Sequence, residues 1–356
     1  MLTKIGLDLG YASITLSDAA AGIYREPSVA LMDKNTGELL SLGTEATEKA
    51  SEGGVLVRPF KNGLLYSREM TASVIKNAIS AVLPAEKIRV TLGLPSSILP
   101  KQERELYEML EESGVSESFG VRRAMAALIG AGYSPSLSVI SVNIGASATE
   151  IMVLHKGKIL LENTATIGGE DFDRAVKDYI SEQGDVTVSL SVAKAIKERL
   201  GAVWQGKNSE SIDIEGTLSL TGNRITMNLT TEDVVGVFDQ PLSRLLFAVA
   251  DIVKKIPLEC VEAIFENGIV LSGGGALLYG LDRMIERILE VPVVLASDPM
   301  DSVAKGLSRV NNILPPRMRG SGKDVTSQLS GLYESRQAQK NGKENKEKSE
   351  TEGNLI

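Results

Sequence analysis

Two short stretches of the sequence have the residue types that a phosphate-binding turn needs. In the first, apolar residues lead to Asp8 and then to the turn Gly10–Ser13. In the second, apolar residues lead to Asn143 and then to the turn Gly145–Ala148. Small residues let backbone N–H groups come close to an anion, which suits a phosphate. The sequence therefore predicts two phosphate sites, each with one polar side chain just before its turn.

The elements that position these turns are short strands. Apolar residues alternate again after each turn, so each turn is predicted to join the two strands of a hairpin. A plain β-hairpin explains either copy alone, but the pattern occurs both near the N-terminus and near the middle of the chain. The repeat predicts two related halves that each offer one hairpin to a ligand between them. Two hairpins facing each other can clamp a polyphosphate from both sides.

Two further glycine sites precede predicted helices. Gly168 and Gly169 come before a helix predicted over Phe172–Glu182, and free N–H groups there would bind an anion. A glycine turn followed by an acidic first helical turn explains the same residues without a ligand. The run Gly273–Gly275 follows a buried strand and lets the backbone approach a ligand closely. Neither GxGxxG nor GxxxxGK[ST] occurs, so the sequence predicts neither a Rossmann nor a Walker site.

Composition limits the classes of protein to consider. The chain has 356 residues and a formal net charge of -8 at pH 7. This length predicts two domains or one bilobed unit, and the charge argues against general nucleic-acid binding. The single cysteine, Cys260, permits no internal disulfide, and with the single histidine, His155, it cannot build a zinc site. The chain enters its first strand at once and has no apolar run that could span a bilayer, so we expect a cytoplasmic protein.

Two longer segments carry expectations of their own. The spacing of apolar residues predicts one long helix over Thr231–Lys255, ended by Pro257. From Arg317 onward charged and polar residues dominate, which predicts a disordered charged tail over residues 317–356. Within this tail, Ser327–Arg336 is the segment that could dock onto a partner.

Two glycine turns followed by the glycine run Gly273–Gly275, two mirrored halves and two small insertions in this order resemble the actin-like ATPase superfamily, and within it the MreB-type bacterial actins. The resemblance covers about residues 4–313. Gly168–Asp173 is as similar to the heat-shock chaperone ATPases, but the chain is too short to hold a chaperone's substrate domain. Besides the two hairpins, the segments that resemble the MreB type are Arg58–Gly63, Met125–Gly132, Ile269–Leu278 with Gly280–Asp282, and Asp298–Pro299 with Val303–Gly306.

The resemblance implies an α/β fold, the duplicated and bilobed actin-like (ribonuclease H-like) fold with a nucleotide cleft between its lobes. Lobe I (subdomain IA) would consist of residues 1–32, 64–142 and 297–316, with residues 33–63 as its small insertion (subdomain IB). Lobe II (subdomain IIA) would consist of residues 143–183 and 230–296, with residues 184–229 as its small insertion (subdomain IIB).

The resemblance also implies a site for ATP and Mg²⁺. Asp8 would organise water around the nucleotide-bound magnesium, and the two hairpins would hold the phosphates. Gly168 and Gly169 would approach the sugar and phosphates, while two later segments would border the adenosine. The residues thereby assigned to the nucleotide are Gly10, Tyr11, Ala12, Ser13, Gly145, Ala146, Ser147, Ala148, Gly168, Gly169, Glu170, Lys194, Lys197, Glu198, Gly273, Gly274, Gly275 and Ala276.

Several positions depart from the family pattern. Asn143 stands where the family has Asp, and Arg123 stands where it has the Glu or Gln that orients the attacking water. Ala124 replaces a Pro, and Gly145–Ala148 reads Gly-Ala-Ser-Ala in place of Gly-Gly-Gly-Thr. Neutral Asn143 supplies no base, and Arg123 cannot accept a proton but could lie near the γ-phosphate as a cation. Losing a water-positioning group typically costs about 10²–10⁴ in rate. We therefore expect nucleotide binding with slow or absent hydrolysis.

By this resemblance the chain is expected to be a nucleotide-binding cytoskeletal protein. Its filaments would lie on the inner face of the membrane and guide cell shape and wall synthesis. Its partners would be further copies of itself or a paralogous actin-like filament, membrane proteins of cell-wall elongation and the inner membrane surface, but not nucleic acid. The apolar Val82–Pro84 is the nearest candidate for membrane contact.

Two alternatives to a filament former stay open. One is a non-polymerising ATP-binding regulator of a partner, of the reactivase or plasmid-segregation type. The other is a small-molecule kinase of the same superfamily, which needs a carboxylate base facing its substrate. The positions at which such a base is expected hold Arg123 and Asn143.

Overall fold

The computed structural model describes residues 2–19, 21–61, 64–65, 67–80, 87–315, 318 and 321–339. Its strands are β1 (Leu2–Leu9), β2 (Ser13–Asp18), β3 (Gly22–Pro27), β4 (Ala30–Asp33), β5 (Leu39–Leu42), β6 (Gly54–Val57), β7 (Phe60–Lys61), β8 (Leu64–Leu65), β9 (Lys87–Leu94), β10 (Glu117–Arg122), β11 (Val139–Ile144), β12 (Thr149–His155), β13 (Lys158–Ala165), β14 (Val186–Thr187), β15 (Ser211–Leu218), β16 (Arg224–Thr230), β17 (Ile269–Ser272), β18 (Val293–Leu295) and β19 (Lys323–Asp324). Its helices are α1 (Gly43–Glu48), α2 (Arg68–Ser80), α3 (Pro100–Glu112), α4 (Arg123–Gly130), α5 (Gly169–Gly184), α6 (Leu190–Leu200), α7 (Asp239–Val253), α8 (Leu258–Asn267), α9 (Leu281–Leu289), α10 (Ser302–Ile313) and α11 (residues 329–339). Short 3₁₀ helices lie at Lys49–Glu52, Gly274–Leu277, Pro299–Asp301 and Thr326–Gln328.

Lobe I is built on a six-stranded sheet in the order β19-β10-β9-β1-β2-β3. β1 pairs antiparallel with β2 and parallel with β9, and β10 continues the parallel part. Every residue of Ile88–Leu94 in β9 is buried, as expected for a parallel strand that helices cover on both faces. One face packs against the apolar sides of α2 and α3, and the other faces α10.

Lobe II repeats this arrangement in a five-stranded sheet ordered β13-β12-β11-β17-β18. β11 has the antiparallel neighbour β12 and the parallel neighbour β17, just as β1 has β2 and β9. Each lobe therefore begins with a hairpin and continues into parallel strands. This repeat confirms the bilobed, duplicated α/β fold that the sequence predicts.

Helices α4 and α10 lie between the two sheets. Their apolar residues share one core with Val139 and Met152 of lobe II and with Phe119 of lobe I. The helices cross at Gly130 and Gly306, where a Cβ on either residue would lie 1.7 Å from a carbonyl oxygen of the other helix. Only glycine permits this backbone contact, which fixes where the first turn of α4 lies relative to the cleft.

Two small sheets extend from the lobes, one in each half. The order of the first is β5-β4-β6, and the order of the second is β14-β15-β16. The strands of the first lie within residues 30–57 and those of the second within residues 186–230, and both ranges overlap the predicted insertions. β4 starts at Ala30, and the first strand of the lobe II sheet, β11, starts at Val139.

The long helix expected over Thr231–Lys255 is shorter than predicted. Residues 231–238 form turns, with Gly236 at a φ of 82°, and α7 begins at Asp239. A left-handed glycine cannot continue a right-handed helix, although its apolar neighbours fit the helical period. A separate helix, α8, follows Pro257 and was not predicted.

The prediction of a disordered tail is wrong for residues 321–339. β19 adds a parallel strand to the edge of the lobe I sheet, and directly after it the Val325 N–H donates to the Gly120 carbonyl oxygen at 2.9 Å. Val325 and Leu329 are fully buried in the core between the lobes. The expected docking segment Ser327–Arg336 thus contacts its own chain. The composition of the tail does not reveal this packing, because the apolar residues that bury Val325 and Leu329 belong to other parts of the chain.

Other expectations fall outside the described residues. Val82–Pro84, the candidate for membrane contact, lies within 81–86, and residues 340–356 of the predicted tail are also not described. Among the helices that the structure describes, none is long and apolar enough to cross a membrane.

Candidate functional site

The two glycine turns have the same backbone geometry. The Gly10 N–H donates to the Ser13 carbonyl oxygen at 3.1 Å, and the Gly145 N–H donates to the Ala148 carbonyl oxygen at 2.9 Å. Each bond closes a hairpin, β1–β2 in lobe I and β11–β12 in lobe II. Both predicted hairpins are therefore confirmed, and each ends in a tight turn of small residues.

The start of α5 is hydrogen-bonded to the second turn. The Gly169 N–H donates to the Gly145 carbonyl oxygen at 2.9 Å, and the Glu170 N–H donates to that of Ala146 at 2.8 Å. A Cβ on Gly168 would lie 2.6 Å from the Ala146 carbonyl oxygen, so this contact requires glycine. The expectation of free N–H groups at Gly168 and Gly169 is thus wrong.

The Gly168 N–H is also occupied. It donates to the Asp171 carboxylate at 2.9 Å, while the Asp171 N–H donates back to the Gly168 carbonyl oxygen. These bonds satisfy the first amides of α5 within the protein. The two glycines support the second turn instead of offering donors to a ligand.

The third glycine site supports the second turn from the other side. Gly273 has a φ of 85°, and a Cβ there would lie 2.3 Å from the Ile144 carbonyl oxygen. A Cβ on Gly275 would lie 2.3 Å from the Ile144 side chain. Ile144 is the last residue of β11, directly before Gly145. The segment Gly273–Ala276 thus packs against the strand end that positions the turn, and Gly274 lies beside it.

Three α6 residues, Lys194, Lys197 and Glu198, are assigned to the nucleotide by the resemblance. Of these, Lys197 alone contacts the glycine sites. Its Nζ lies 2.6 Å from the buried Asp173 carboxylate and 3.1 Å from the Gly169 carbonyl oxygen. Burial raises the pKa of Asp173 above its usual value, although Lys197 acts to lower it. Lys194 and Glu198 are exposed and pair with each other at 3.7 Å.

A contact between the lobes joins Tyr11 of the first turn to Glu170 of α5. Burial, followed by the hydrogen bond to Glu170 and the charge of that carboxylate, raises the pKa of the Tyr11 phenol to about 12. Arg58 stacks on the Tyr11 ring at 4.6 Å and donates to the Tyr11 carbonyl oxygen at 2.9 Å. Tyr11 is therefore held from both sides of the cleft.

Arg123, the first residue of α4, lies between the two hairpins. Its Nε donates to the Asp8 carboxylate at 2.7 Å, and its Nη1 donates to the Glu150 carboxylate at 3.3 Å. Its Nη2 donates to the Leu9 carbonyl oxygen at 2.6 Å. The Arg123 side chain is only 11% exposed. We refer to Arg123, Asp8 and Glu150 as the ion triad.

Glu150 is the member of the ion triad whose role the sequence did not predict. It follows the second turn on β12 and its side chain is 4% exposed. Burial first, opposed by Arg123 and reinforced by Asp8, raises the pKa of Glu150 to about 7. Its Oε2 atom is buried and has no hydrogen-bond partner among the described residues. A carboxylate inside an apolar alternating strand was the signal that could have identified it.

The side-chain oxygen of Asn143 lies beside Ser272 of β17. The Ser272 Oγ donates to Asn143 Oδ1 at 3.4 Å, across the parallel pair of β11 and β17. Asn143 is 6% exposed. The same Ser272 hydroxyl lies 3.3 Å from the Val142 carbonyl oxygen, so its single proton serves one of two acceptors and leaves the Asn143 oxygen able to accept from water.

The site can be compared with those of known proteins. A family model described as "MreB/Mbl protein" matches residues 2–315. The chain belongs to the MreB/Mbl family.

Curated relatives agree with this assignment. The cell shape-determining protein Mbl of Bacillus cereus (strain ATCC 10987 / NRS 248) is 30% identical over 312 residues, covering 85% of this chain and 93% of the relative. The cell shape-determining protein MreB of Escherichia coli (strain K12) is 28% identical over 316 residues, covering 85% of this chain and 91% of the relative.

Solved structures show the same actin-like fold. MreB5 of Spiroplasma citri bound to ADP superimposes with a TM-score of 0.81 at 24% identity, over 86% of this chain and 95% of that one. A MamK double helical filament superimposes with a TM-score of 0.76 at 22% identity, over 88% of this chain and 100% of that one. A second MreB5 structure holds AMPPNP.

The magnesium site expected from the MreB resemblance does not fit these residues. Asp8, the residue assigned to metal-bound water, already accepts from Arg123 through its Oδ1 atom, and Asn143 brings no charge. The part of the chain that the structure describes holds no group of three or more His, Cys, Asp or Glu residues that could bind a metal ion. Mg²⁺ prefers oxygen ligands in near-ideal octahedral geometry and keeps several waters. The Arg123 guanidinium already occupies the position beside Asp8 from which a hydrated Mg²⁺ would contact that carboxylate.

Proposed function

We propose that this MreB/Mbl-family chain is a nucleotide-binding cytoskeletal protein whose filaments guide cell shape and wall synthesis. The observation that carries the proposal is the pair of matching glycine turns, one from each lobe, beside the cleft between the lobes. Two backbone turns of this geometry suit the two sides of a polyphosphate. The named functions of Mbl and MreB relatives support the cell-shape role.

The proposed ligand is ATP. The MreB5 structures hold ADP and AMPPNP, and this chain has its two turns and two supporting glycine segments in the equivalent fold. The Gly10 and Gly145 N–H groups close their own turns, so the phosphates would be held by the N–H groups of Tyr11–Ser13 and Ala146–Ala148. Lys197 and Gly273–Ala276 would border the sugar and base.

We propose that hydrolysis is slow. Neither Arg123 nor Asn143 can act as a base toward an attacking water, because a guanidinium has no acceptor and an amide is not basic. Arg123 is also engaged by two carboxylates. Replacing Asn143 by Asp would return the carboxylate of the family pattern, and we expect it to raise phosphate release.

Self-association is supported by the exposed apolar side chains of the first small sheet. Leu40 of β5 and Val55 of β6 are each 52% exposed, on the two outer strands of that sheet. Exposed apolar residues on edge strands favour pairing with another chain. We propose that this sheet contributes to contacts between successive subunits. We also propose that the filaments lie on the inner face of the membrane. Each subunit would bind the membrane weakly, and the many subunits of one filament would together bind it stably through avidity.

Sedimentation with and without ATP, with phosphate release followed in the same tubes, tests the proposal. We expect pelleting that depends on ATP, with phosphate release far slower than pelleting. Asn143→Asp should pellet alike and release phosphate faster. Absence of pelleting while ATP is bound would contradict the filament role and favour a regulator that acts on a partner. Fast hydrolysis that Asn143→Ala abolishes would contradict the proposed slow chemistry.

A further inference from the structure

The floor of the cleft between the two turns holds a built-in cation. The Arg123 guanidinium contacts Asp8 and Leu9, which come directly before the first turn. It also contacts Glu150, which follows the second turn. The side chain therefore reaches both hairpins and lies between the positions where phosphate oxygens would be held.

Arg123 keeps donors for a further ligand. A guanidinium has five N–H groups in a planar fork. One N–H goes to each of Asp8, Glu150 and the Leu9 carbonyl oxygen, so two have no partner among the described residues. The side chain is 11% exposed, so it is largely buried but not completely closed off from solvent. Arginine forks bind phosphate oxygens well, and their charge-assisted bonds are strong where water is excluded.

We infer that the Arg123 guanidinium takes the place of a divalent metal, so that this chain binds a nucleoside triphosphate without Mg²⁺. This inference rests on the proposed nucleotide binding and concerns the same site. In the MreB resemblance Asp8 contacts the metal shell, but here Arg123 uses Asp8 as its own anchor. Glu150 provides the second anchor, and both carboxylates prevent the guanidinium from swinging out of the cleft.

A fixed cation differs from a metal in its chemical consequence. Metal ions in phosphoryl transfer bridge the β- and γ-oxygens and neutralise the charge that develops there. Arg123 is tied to two carboxylates, so part of its charge is already balanced before the nucleotide binds. The nucleotide would be held while its γ-phosphate is weakly activated, which agrees with slow hydrolysis.

Titration of the full chain with a fluorescent ATP analogue, in Mg²⁺ and in excess EDTA, tests the inference. We expect the two dissociation constants to agree within about threefold. Arg123→Gln should weaken binding in EDTA by about 10- to 100-fold, the range expected for losing one or two charge-assisted bonds. Mg²⁺ should restore much of that loss, because Asp8 and Glu150 are then free. The matched control Arg68→Gln, at an exposed pair with Glu112, should leave both constants unchanged.

The outcomes separate the inference from the proposed function. Binding by the wild type only with Mg²⁺ would overturn the inference and leave nucleotide binding intact. No binding in either buffer would overturn the proposed nucleotide site itself. An Arg123→Gln variant that binds as tightly as the wild type in EDTA would overturn the inference, because Arg123 would then not supply the positive charge that binds the phosphates. If Arg123→Gln does not fold, Arg123→Lys decides, because it keeps a positive charge but loses the planar fork. The inference expects it to bind at least about tenfold more weakly than the wild type in EDTA, and a smaller loss than this contradicts it.

Discussion

Glu150 stands directly opposite Asn143 in the antiparallel pair β11–β12. One of these two facing residues is neutral by its chemistry. The other is a buried carboxyl group that is only partly ionised near neutral pH, because its pKa is raised to about 7. The lobe II side of the cleft therefore carries less negative charge than its sequence suggests, and this favours a polyphosphate there.

The pKa of Glu150 predicts a pH dependence of stability. Because about 7 lies above the ordinary 4.5, the native state binds more protons than the unfolded state between these values. The contribution of Glu150 to stability is thus present at low pH and falls as pH rises from 4.5 through 7. The size is on the order of 3 kcal/mol. Urea unfolding at pH 5 and pH 8 should show a smaller difference for Glu150→Gln than for the wild type.

The exposed Glu182 on α5 offers a matched control. Glu182→Gln should keep the full pH dependence of the wild type. If Glu150→Gln also keeps the full pH dependence of stability, the raised pKa of Glu150 is not the source of that dependence.

The contact between Gly168 and the second turn predicts a local effect of added bulk. In Gly168→Ala the new Cβ would lie 2.6 Å from the Ala146 carbonyl oxygen, and a backbone atom cannot give way easily. We expect at least about tenfold weaker nucleotide binding and a stability loss of about 1–3 kcal/mol. Affinity and urea unfolding measure the two effects.

Gly184, at the other end of α5, is the control for this variant. A Cβ there would meet only the Val186 side chain at 3.6 Å, an ordinary contact. Gly184→Ala should leave affinity unchanged and raise stability by up to about 1 kcal/mol, because Ala favours a helix over Gly. Equal losses in both variants would argue against a specific role of Gly168.

The exposed apolar sheet of the first small domain predicts a filament variant. Val55→Lys places a charge on an edge strand, where burying it against a second subunit would be unfavourable. We expect less pelleting with ATP at an unchanged unfolding midpoint. Leu258→Lys, at a side chain 90% exposed at the start of α8, should pellet like the wild type. Undiminished pelleting of Val55→Lys would exclude β6 from the subunit contact.

The packing of the C-terminal segment predicts that it contributes to folding stability. Leu329 is fully buried in the core between the lobes. Leu329→Ala should lower the free energy of unfolding by about 2–5 kcal/mol, as for other core leucines. The exposed Gln337 lies on the same helix, and Gln337→Ala should change it by less than about 0.5 kcal/mol. An unfolding midpoint that is the same in both variants would mean that α11 does not stay docked.

The predictability of each part of the structure follows from the range of the interactions that form it. The hairpins around Gly10 and Gly145 were predictable because alternation and a small turn are local signals. The tail was not, since Val325 and Leu329 are buried only against distant elements. The length of α7 was overestimated because Gly236 interrupts a period that otherwise continues.

The ion triad was the least predictable part of the candidate site. The departure at Arg123 was visible in the sequence, and a cation near the γ-phosphate was the expectation. Its partners Asp8 and Glu150 lie 115 and 27 residues away and meet it only through the fold. The position of Arg123 between two carboxylates therefore needed the structure.

The nucleotide held inside pelleted filaments tests the central claim most directly. Filaments assembled with ATP should be collected after many minutes, denatured, and assayed for ATP and ADP. If Arg123 and Asn143 leave the site able to bind but slow to hydrolyse, most of the bound nucleotide should still be ATP. Filaments that contain mainly ADP would contradict this account.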